Sequence, residues 1–350
     1  MCTSFRITAT DATVVVGRTM EFPTDMGTKV TVLPVGYEGT GIGPDGAPGK
    51  TWTATHGVVG MDAFGLPGAL TDGMNQAGVY AGLLYMPGFC DYTPVEGADP
   101  SSSMSIVDAV AFVLGTCASV AEATAAMDTT TVWPYVFGPF GFAPPAHLVL
   151  HDASGASAVV EWRDGEMVVT DNPIGVACNW PHIDWHLTNL RNYLNLSVRN
   201  PSSTTIDGVE LTPMGQGPGM LGLPGDSGSP SRFVRAAAFT AGLRPVATGA
   251  ELETTALHIL NNFDIPWGFI RADGDPGNDD HTMWSTISNL TDLRYVLRTY
   301  DNPVPHVISL ADVDFSGSEP LQVPAPTGGF ASFVPAAADR RRPADSAVRS

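Results

Sequence analysis

The chain predicts an α+β protein whose helices and antiparallel sheets stack in separate layers. Three observations lead there. Strand-like and helix-like segments come in blocks (strands, helices, strands, helices, strands) and not in the regular alternation of a doubly wound sheet. Neighbouring strand-like runs are joined by short stretches of Asp, Asn, Ser and Gly, the chemistry of tight turns. Of the 350 residues 43% are hydrophobic and 15% charged, which is ample for a substantial core.

The elements follow in order. "TSFRITATDATVVVGRTMEF" reads as two β-rich runs around Asp11-Ala12, a hairpin. The loop 36–49 is rich in Gly and Pro. "GALTDGMNQAGVYAGLLYM" repeats the hairpin pattern, with turn chemistry at Asp72-Gly73 and again over 75–78. "SIVDAVAFVLG" is apolar at helical spacing, and Ser119 with Glu122 reads as a capping box that opens a second helix. Three strands follow in "HLVLHDASGASAVVEWRDGEMVVT", turning at Ala153-Ser154-Gly155 and at Asp164-Gly165. Helices resume in "HIDWHLTNLRNYL", "SRFVRAAAFTAGL" and "ELETTALHILNNF", and strands return in "TMWSTISNL", "LRYVLRTY" and "HVISLADV". Between two of those helices the stretch 200–231 is too long for idle linkage and reads as a functional or interface loop. Residues 2–315 form one domain in this reading. Over 316–350, Pro, Ala, Gly and Ser dominate without an apolar period, which predicts a mostly disordered tail.

Composition excludes several functions. No run of 18 apolar residues and no secretory leader pattern occurs, so the expectation is a cytoplasmic protein without membrane insertion. The net charge of −19, with Lys29 and Lys50 the only lysines, repels phosphate backbones and argues against nucleic acid as a partner. Cys90, Cys117 and Cys178 lack CxxC spacing and read as small buried apolar residues.

Some motifs point elsewhere and fail on context. "TATHGV" around His56 and "GDSGSP" around Ser227 are similar to the histidine and serine segments of trypsin-like proteases, but that fold is all-β and this chain carries four or five helices. "GPGMLG" matches GxGxxG with no strand before it. His182 and His186 stand at i, i+4 in a helix reading, without the glutamate of HExxH or a third ligand. The acidic run 273–280 fails the EF-hand pattern and reads as a solvated turn. No metal is expected.

The start of the chain, "MCTSF", carries the chemistry. Aminopeptidase removal of Met1, which a small second residue permits, leaves Cys2 with a thiol and a free α-amine on one residue. With reference pKa values of about 8.5 and about 8, both groups exchange protons near neutrality. A nucleophile and its base then sit together. The first hairpin brings Arg18, Met20 and Glu21 back beside Cys2, where Arg18 stabilises a thiolate and Glu21 accepts from the terminal amine.

"MCTSF", "GRTMEF", "NPIGVACNWPHIDWHLTNLRNY", "GLPGDSGSPSRFVRA" and "DLRYVLRTYDN" occur in that order. Together they resemble the signature segments of the choloylglycine hydrolase family, which holds penicillin V acylases, bile salt hydrolases and related N-acyl amide hydrolases. The resemblance implies a four-layer αββα N-terminal nucleophile hydrolase fold with two stacked antiparallel sheets and the nucleophile at the start of a central strand. It makes Cys2 the nucleophile, Arg18 its neighbouring arginine, Asn179 an oxyanion-hole amide and Arg232 the second arginine of the site. Two positions depart. Glu21 stands where most members carry aspartate, and Leu84 where bile salt hydrolases tend to have asparagine and several penicillin V acylases tyrosine.

The expected activity is hydrolysis of a linear, non-peptide carboxamide through a thioester, with no cofactor. Its small-molecule amide substrate is phenoxyacetyl, fatty-acyl or acyl-homoserine-lactone in kind. The alternative is deconjugation of glycine or taurine bile salts, and more remote readings are a trypsin-like protease or an inactive binding relative. Leu84 offers a backbone N–H to the oxyanion. Met20, Phe22, Tyr85, Met86 and the aromatics of 137–142 line an acyl pocket in this reading. The family often forms homotetramers, so a homo-oligomer, tetramer or dimer, is expected, with 200–224 as its candidate interface.

Overall fold

The computed structural model describes residues 1–271 and 279–329. The chain opens on a hairpin of two long strands, β1 (Cys2–Thr8) and β2 (Val14–Phe22). Its turn is made as Asp11-Ala12 predicts: Ala12 takes a left-handed φ of 71°, and Asp11 Oδ1 accepts the Thr13 N–H at 2.9 Å. The antiparallel register sets Cys2 opposite Met20 and Ser4 opposite Arg18. Both strands are almost wholly buried, because each face of their sheet is covered.

Among the described residues that sheet has seven strands. It runs from Val176–Ala177 through β1 and β2 to Asp279–Asn289, Arg294–Thr299 and His306–Ser309, with Ile270–Arg271 paired beside Asp279–Asn289. A second sheet of eight strands runs from Glu166–Asp171 through Ser157–Arg163, Ala146–Asp152, Val79–Tyr85, Leu66–Asn75, Val58–Ala63 and Lys29–Leu33 to Leu321–Pro324. Every pairing in both sheets is antiparallel.

Helices cover the outer faces. The helices α1 (Ala109–Thr116) and α2 (Val120–Asp128) pack on the second sheet. The helix α3 (Ile183–Asn189) packs on α4 (Ser229–Gly242), which with α5 (Gly249–Leu260) covers the first sheet. One core fills the space between the sheets and around α4 and α5, and another lies under α1 and α2. The layers are helix, sheet, sheet, helix: the blocks of sequence predict stacked layers of antiparallel sheet, and the family resemblance implies this order.

Several local readings are corrected. Asp72-Gly73 is not a turn but the middle of the strand Leu66–Asn75, and the chain reverses only after Asn75. Gly73 is there because a Cβ would come within 2.8 Å of the Val59 carbonyl and 3.0 Å of Leu114 on α1. The loop 36–49 holds a hairpin strand, Glu38–Ile42, that pairs with Pro48–Thr53. At α2, Ser119 accepts from the Glu122 N–H, but Glu122 reaches the N–H of Ala118, one residue short of a closed capping box. His182 caps α3 from outside, so it does not share a helix face with His186.

The tail expected over 316–350 does not begin at 316. Leu321–Pro324 pairs with Lys29–Leu33 as an edge strand, and Asn302 donates to the Thr327 carbonyl at 3.0 Å. Four strand residues inside a Pro/Gly-rich stretch carry no readable period, and what holds them is an edge almost 300 residues away in sequence. Residues 330–350, and of the acidic run 273–278, lie outside the described residues. Among the described residues no helix is long and apolar enough to cross a membrane, and no group of three or more His, Cys, Asp or Glu is placed to hold a metal ion.

Candidate active site

Cys2 begins the edge-to-centre hairpin and is 1% exposed. Because side chains alternate along a strand, Cys2, Arg18 and Met20 share one face of the sheet, while Thr3, Thr19 and Glu21 share the other. On the first face the Cys2 Sγ lies 3.5 Å from Met20 Sδ and 3.7 Å from Arg18 Nη2. Arg18 is fully buried and held from several sides: Nη2 donates to the Leu83 carbonyl at 2.5 Å, and Nη1 donates to the Thr71 carbonyl and to Asp72 Oδ2, the latter at 3.3 Å. Burial alone would lower the guanidinium pKa, but Cys2, Tyr80 and Asp72 more than reverse that, so Arg18 is permanently charged.

Asp72 anchors that charge. Its Oδ2 also accepts from the Tyr80 hydroxyl at 2.8 Å, and its Oδ1 accepts from Tyr295 at 2.6 Å and Thr286 at 3.2 Å. Burial, reinforced by Asp72, pushes both phenols well above their ordinary pKa, so they remain donors. Sequence reading missed this cluster, since Arg18, Asp72, Tyr80, Thr286 and Tyr295 come from five different strands.

On the second face Arg232 reaches down from α4. Its Nη1 donates to the Cys2 carbonyl and, at 2.7 Å, to Thr3 Oγ1; Nη2 donates to Asn179 Oδ1 at 2.6 Å. The same Asn179 oxygen accepts the Cys2 backbone N–H at 2.7 Å. Two donors on the oxygen fix the amide orientation, and Nδ2 points to the Tyr85 carbonyl at 2.6 Å with a second proton to spare. Beyond Asn179, Glu161 accepts the Ile183 N–H at 3.0 Å and pairs with Arg163. Burial would raise the Glu161 pKa; His147 and Arg163 overcome it and hold the carboxyl at about 2.

Glu21 lies against the chain start, its backbone paired with that of Met1. Its carboxylate is on the face away from the thiol, where Oε1 accepts from Thr282 Oγ1 at 3.0 Å and Oε2 has no hydrogen-bond partner among the described residues. The ammonium of Met1 bonds the Glu21 backbone carbonyl, not the side chain. Burial raises the Glu21 pKa, with the N-terminal charge and Arg232 pulling against it.

Above the thiol opens an apolar recess bounded by Cys2, Met20, Phe22, Leu83, Tyr85 and Phe140, among others. Ring contacts at 5.2–5.7 Å tie Phe22, Tyr85, Phe64 and Phe140 into one wall. Leu84 does not reach it. Alternation along its strand turns Leu83 and Tyr85 to the recess and buries the Leu84 side chain between the sheets. Met86, also expected there, is buried elsewhere. The protease-like segments serve different helices: the His56 N–H donates to the Gly115 carbonyl of α1, whereas the Ser227 carbonyl accepts from Arg232 Nε, and Asp226 accepts from Ser231 at 2.6 Å to shape the start of α4. His186 is stacked on Phe233 at 4.5 Å, and burial, with His147 and Arg232, holds it down at about 4.

A profile of the linear amide C–N hydrolases, choloylglycine hydrolase family, matches residues 2–323. The chain belongs to that family. It is 27% identical to a bile salt hydrolase/transferase of Clostridium perfringens over 91% of this chain and 95% of that protein. Its structure matches a mutant conjugated bile acid hydrolase from Clostridium perfringens with a TM-score of 0.84 at 25% identity, covering 95% of this chain and 100% of that one. It also matches a penicillin V acylase from Agrobacterium tumefaciens with a TM-score of 0.74 at 26% identity, covering 92% and 91%. The layers described above are therefore those of an N-terminal nucleophile hydrolase, and this choloylglycine hydrolase family member is a hydrolase of linear amide C–N bonds.

Proposed function

We propose that the chain, once Met1 is removed, is a cysteine-nucleophile amidohydrolase of the penicillin V acylase kind, which cleaves phenoxyacetyl, fatty-acyl or acyl-homoserine-lactone amides. The observation that carries this reading is the position of the Cys2 sulfur, beside one buried cation and at the floor of a recess lined by apolar and aromatic groups.

The chemistry follows from the residues. The Cys2 sulfur attacks the amide carbonyl, and its proton passes to the α-amine of the same residue. The second proton of Asn179 Nδ2 and the backbone N–H of Leu84 receive the oxyanion, which forms only as the carbonyl carbon becomes tetrahedral. Arg18 holds the sulfur's negative charge, and Arg232 keeps Asn179 and the Cys2 carbonyl in register. Collapse breaks the C–N bond, and the leaving nitrogen takes the proton from the α-amine. Water then attacks the thioester, giving the carboxylic acid and the free thiol. Excision of Met1 gives the Cys2 nitrogen new protons, and the unpartnered Glu21 Oε2 is an acceptor for one of them. Met20, Phe22 and Tyr85 contact the acyl chain.

A bile salt hydrolase is the second reading, favoured by the names of the Clostridium perfringens relatives. We further place the enzyme in the cytoplasm, consistent with four unpaired cysteines, and as a homodimer or homotetramer. The exposed ribbon Thr204–Ile206 and Val209–Leu211 carries Ile206, Val209 and Leu211 outward as the oligomer surface.

The test is primary-amine release from the purified mature protein offered penicillin V, glycocholate, taurocholate and a long-chain acyl-homoserine lactone. Cleavage of penicillin V or the lactone, abolished by Cys2→Ala, supports the acylase reading. Preference for the bile salts replaces it with the second. Silence on all four refutes both.

A further inference from the structure

The apolar recess continues outward into a second, more open one that includes Met1, Phe22, Tyr85, Phe140, Trp180 and Asp280. Phe22, Tyr85 and Phe140 line both, so the two are inner and outer parts of one site. Among the described residues that line them, Asp280 is the one charged side chain. Its Oδ1 is buried without a hydrogen-bond partner among the described residues, and the nearest cation is the Met1 ammonium at 4.0 Å. Removal of Met1 withdraws the terminal amine by one residue, to the Cys2 nitrogen, and empties the part of the mouth that Met1 filled.

From this we infer that Asp280 selects the leaving amine by charge: the enzyme prefers amides whose amine product is neutral or cationic over those whose amine carries a carboxylate or sulfonate. The inference rests on the amidohydrolase reading above. With the acyl chain in the inner recess, the amine half of the substrate projects past Cys2 into the mouth. There a partly exposed carboxylate with one buried, unpartnered oxygen repels an anion and accepts from an N–H or ammonium group. The net charge of −19 acts in the same direction at longer range. Glycine and taurine conjugates, and the penicillin nucleus with its carboxylate, fall on the disfavoured side; lactone, amino-alcohol and diamine amides fall on the favoured side. One elementary charge about 6 Å away at an effective dielectric near 40 changes the relative rate about tenfold.

The experiment compares kcat/KM of the mature enzyme on three dodecanoyl amides of similar size: of ethylenediamine, ethanolamine and glycine. The wild type is expected to cleave the diamine amide at least as fast as the neutral one, and the glycine amide about tenfold more slowly than the neutral one. Asp280→Asn removes most of that spread, and Asp280→Lys inverts it. Each rate is divided by that on the ethanolamide in the same preparation, so loss of folded protein cancels. Should Asp280→Asn fold poorly, the wild-type ratio still decides, because equal or faster cleavage of the glycine amide overturns the inference. An equal fall on all three substrates in Asp280→Asn also overturns it, and would make Asp280 a partner of the Cys2 amine. No cleavage of any of the three amides by the wild type, with penicillin V and the lactone untouched as well, refutes the amidohydrolase reading itself; cleavage that ignores charge refutes only this inference.

Discussion

Asp72→Asn keeps the shape of the side chain and removes its charge. The wild-type carboxylate accepts from Arg18 and Tyr80 on one oxygen and from Tyr295 and Thr286 on the other. An asparagine has one oxygen and one amide nitrogen to offer. The hydroxyls of Tyr295 and Thr286 can rotate and accept from that nitrogen, whereas Arg18 has no acceptor, so the amide oxygen must stay on the Arg18 side. The hydrogen-bond pattern therefore survives, and the loss is the countercharge of a cation that is fully buried. Breaking a buried ion pair from one side costs about 3–5 kcal/mol. The carbonyls of Thr71 and Leu83 still hold Arg18, which puts the expected cost at the lower end, about 3 kcal/mol. At about 2 °C per kcal/mol for a chain of this size, the melting temperature falls by about 6 °C. Activity falls as well, about tenfold in kcat/KM, because a shifted Arg18 no longer meets the sulfur squarely. Asp72→Ala, which takes both acceptor oxygens from their four donors, is expected to be worse by a further 1–3 kcal/mol or so. Thermal unfolding and amine-release kinetics on the same samples check this. An Asp72→Asn protein that melts and turns over like the wild type would refute the view that Asp72 holds Arg18 in place.

Three other outcomes are expected. Cys2→Ala abolishes amine release, by on the order of 10³-fold or more, while far-ultraviolet circular dichroism stays native, since the change removes one sulfur from an otherwise intact strand. Asn179→Ala lowers kcat about 10²–10³-fold with KM little changed, because it deletes an oxyanion donor; it also lowers the melting temperature, since the Cys2 N–H and Arg232 lose their shared acceptor. The last concerns acid. Burial, and then the charge of Arg6, hold His151 down at about 3, and its ring packs on Tyr80 with neither nitrogen partnered among the described residues. Between pH 6.5 and 3 the unfolded chain binds a proton at this residue that the folded one refuses, so stability falls as pH falls through that window. His151→Phe removes this contribution, and a plot of melting temperature against pH from 4 to 7 should be flatter for the variant; an unchanged slope would exclude His151 as a source of acid lability.

Local chemistry made much of the molecule readable in advance. The Asp11-Ala12 turn determines the β1–β2 register, and that register alone brings Arg18 and Met20 to the sulfur. The turn at Asp164-Gly165 formed as its residues require, with φ of 51° and 82°, and the helices stand where apolar spacing put them. Arg232 and Asn179 were legible only through their surrounding motifs, since nothing local says that residues 53 apart share a hydrogen bond.

The sequence by itself thus determined the α+β class with stacked antiparallel sheets, the candidate nucleophile and its hairpin neighbours, because turns and periodicities act over a few residues; the order of the layers came with the family resemblance. Only the tertiary structure decided which face each strand residue serves. It turned Glu21 from the thiol and buried Leu84, and it made Asp72, first read as a turn, the anchor of Arg18. Those assignments depend on pairing β2 with Asp279–Asn289 and on stacking one sheet against the other. Such pairings join segments more than 250 residues apart, and a one-residue slip in either would reverse every face. Asp280 enters the mouth of the site by that same pairing, which no nearby residue in the sequence records.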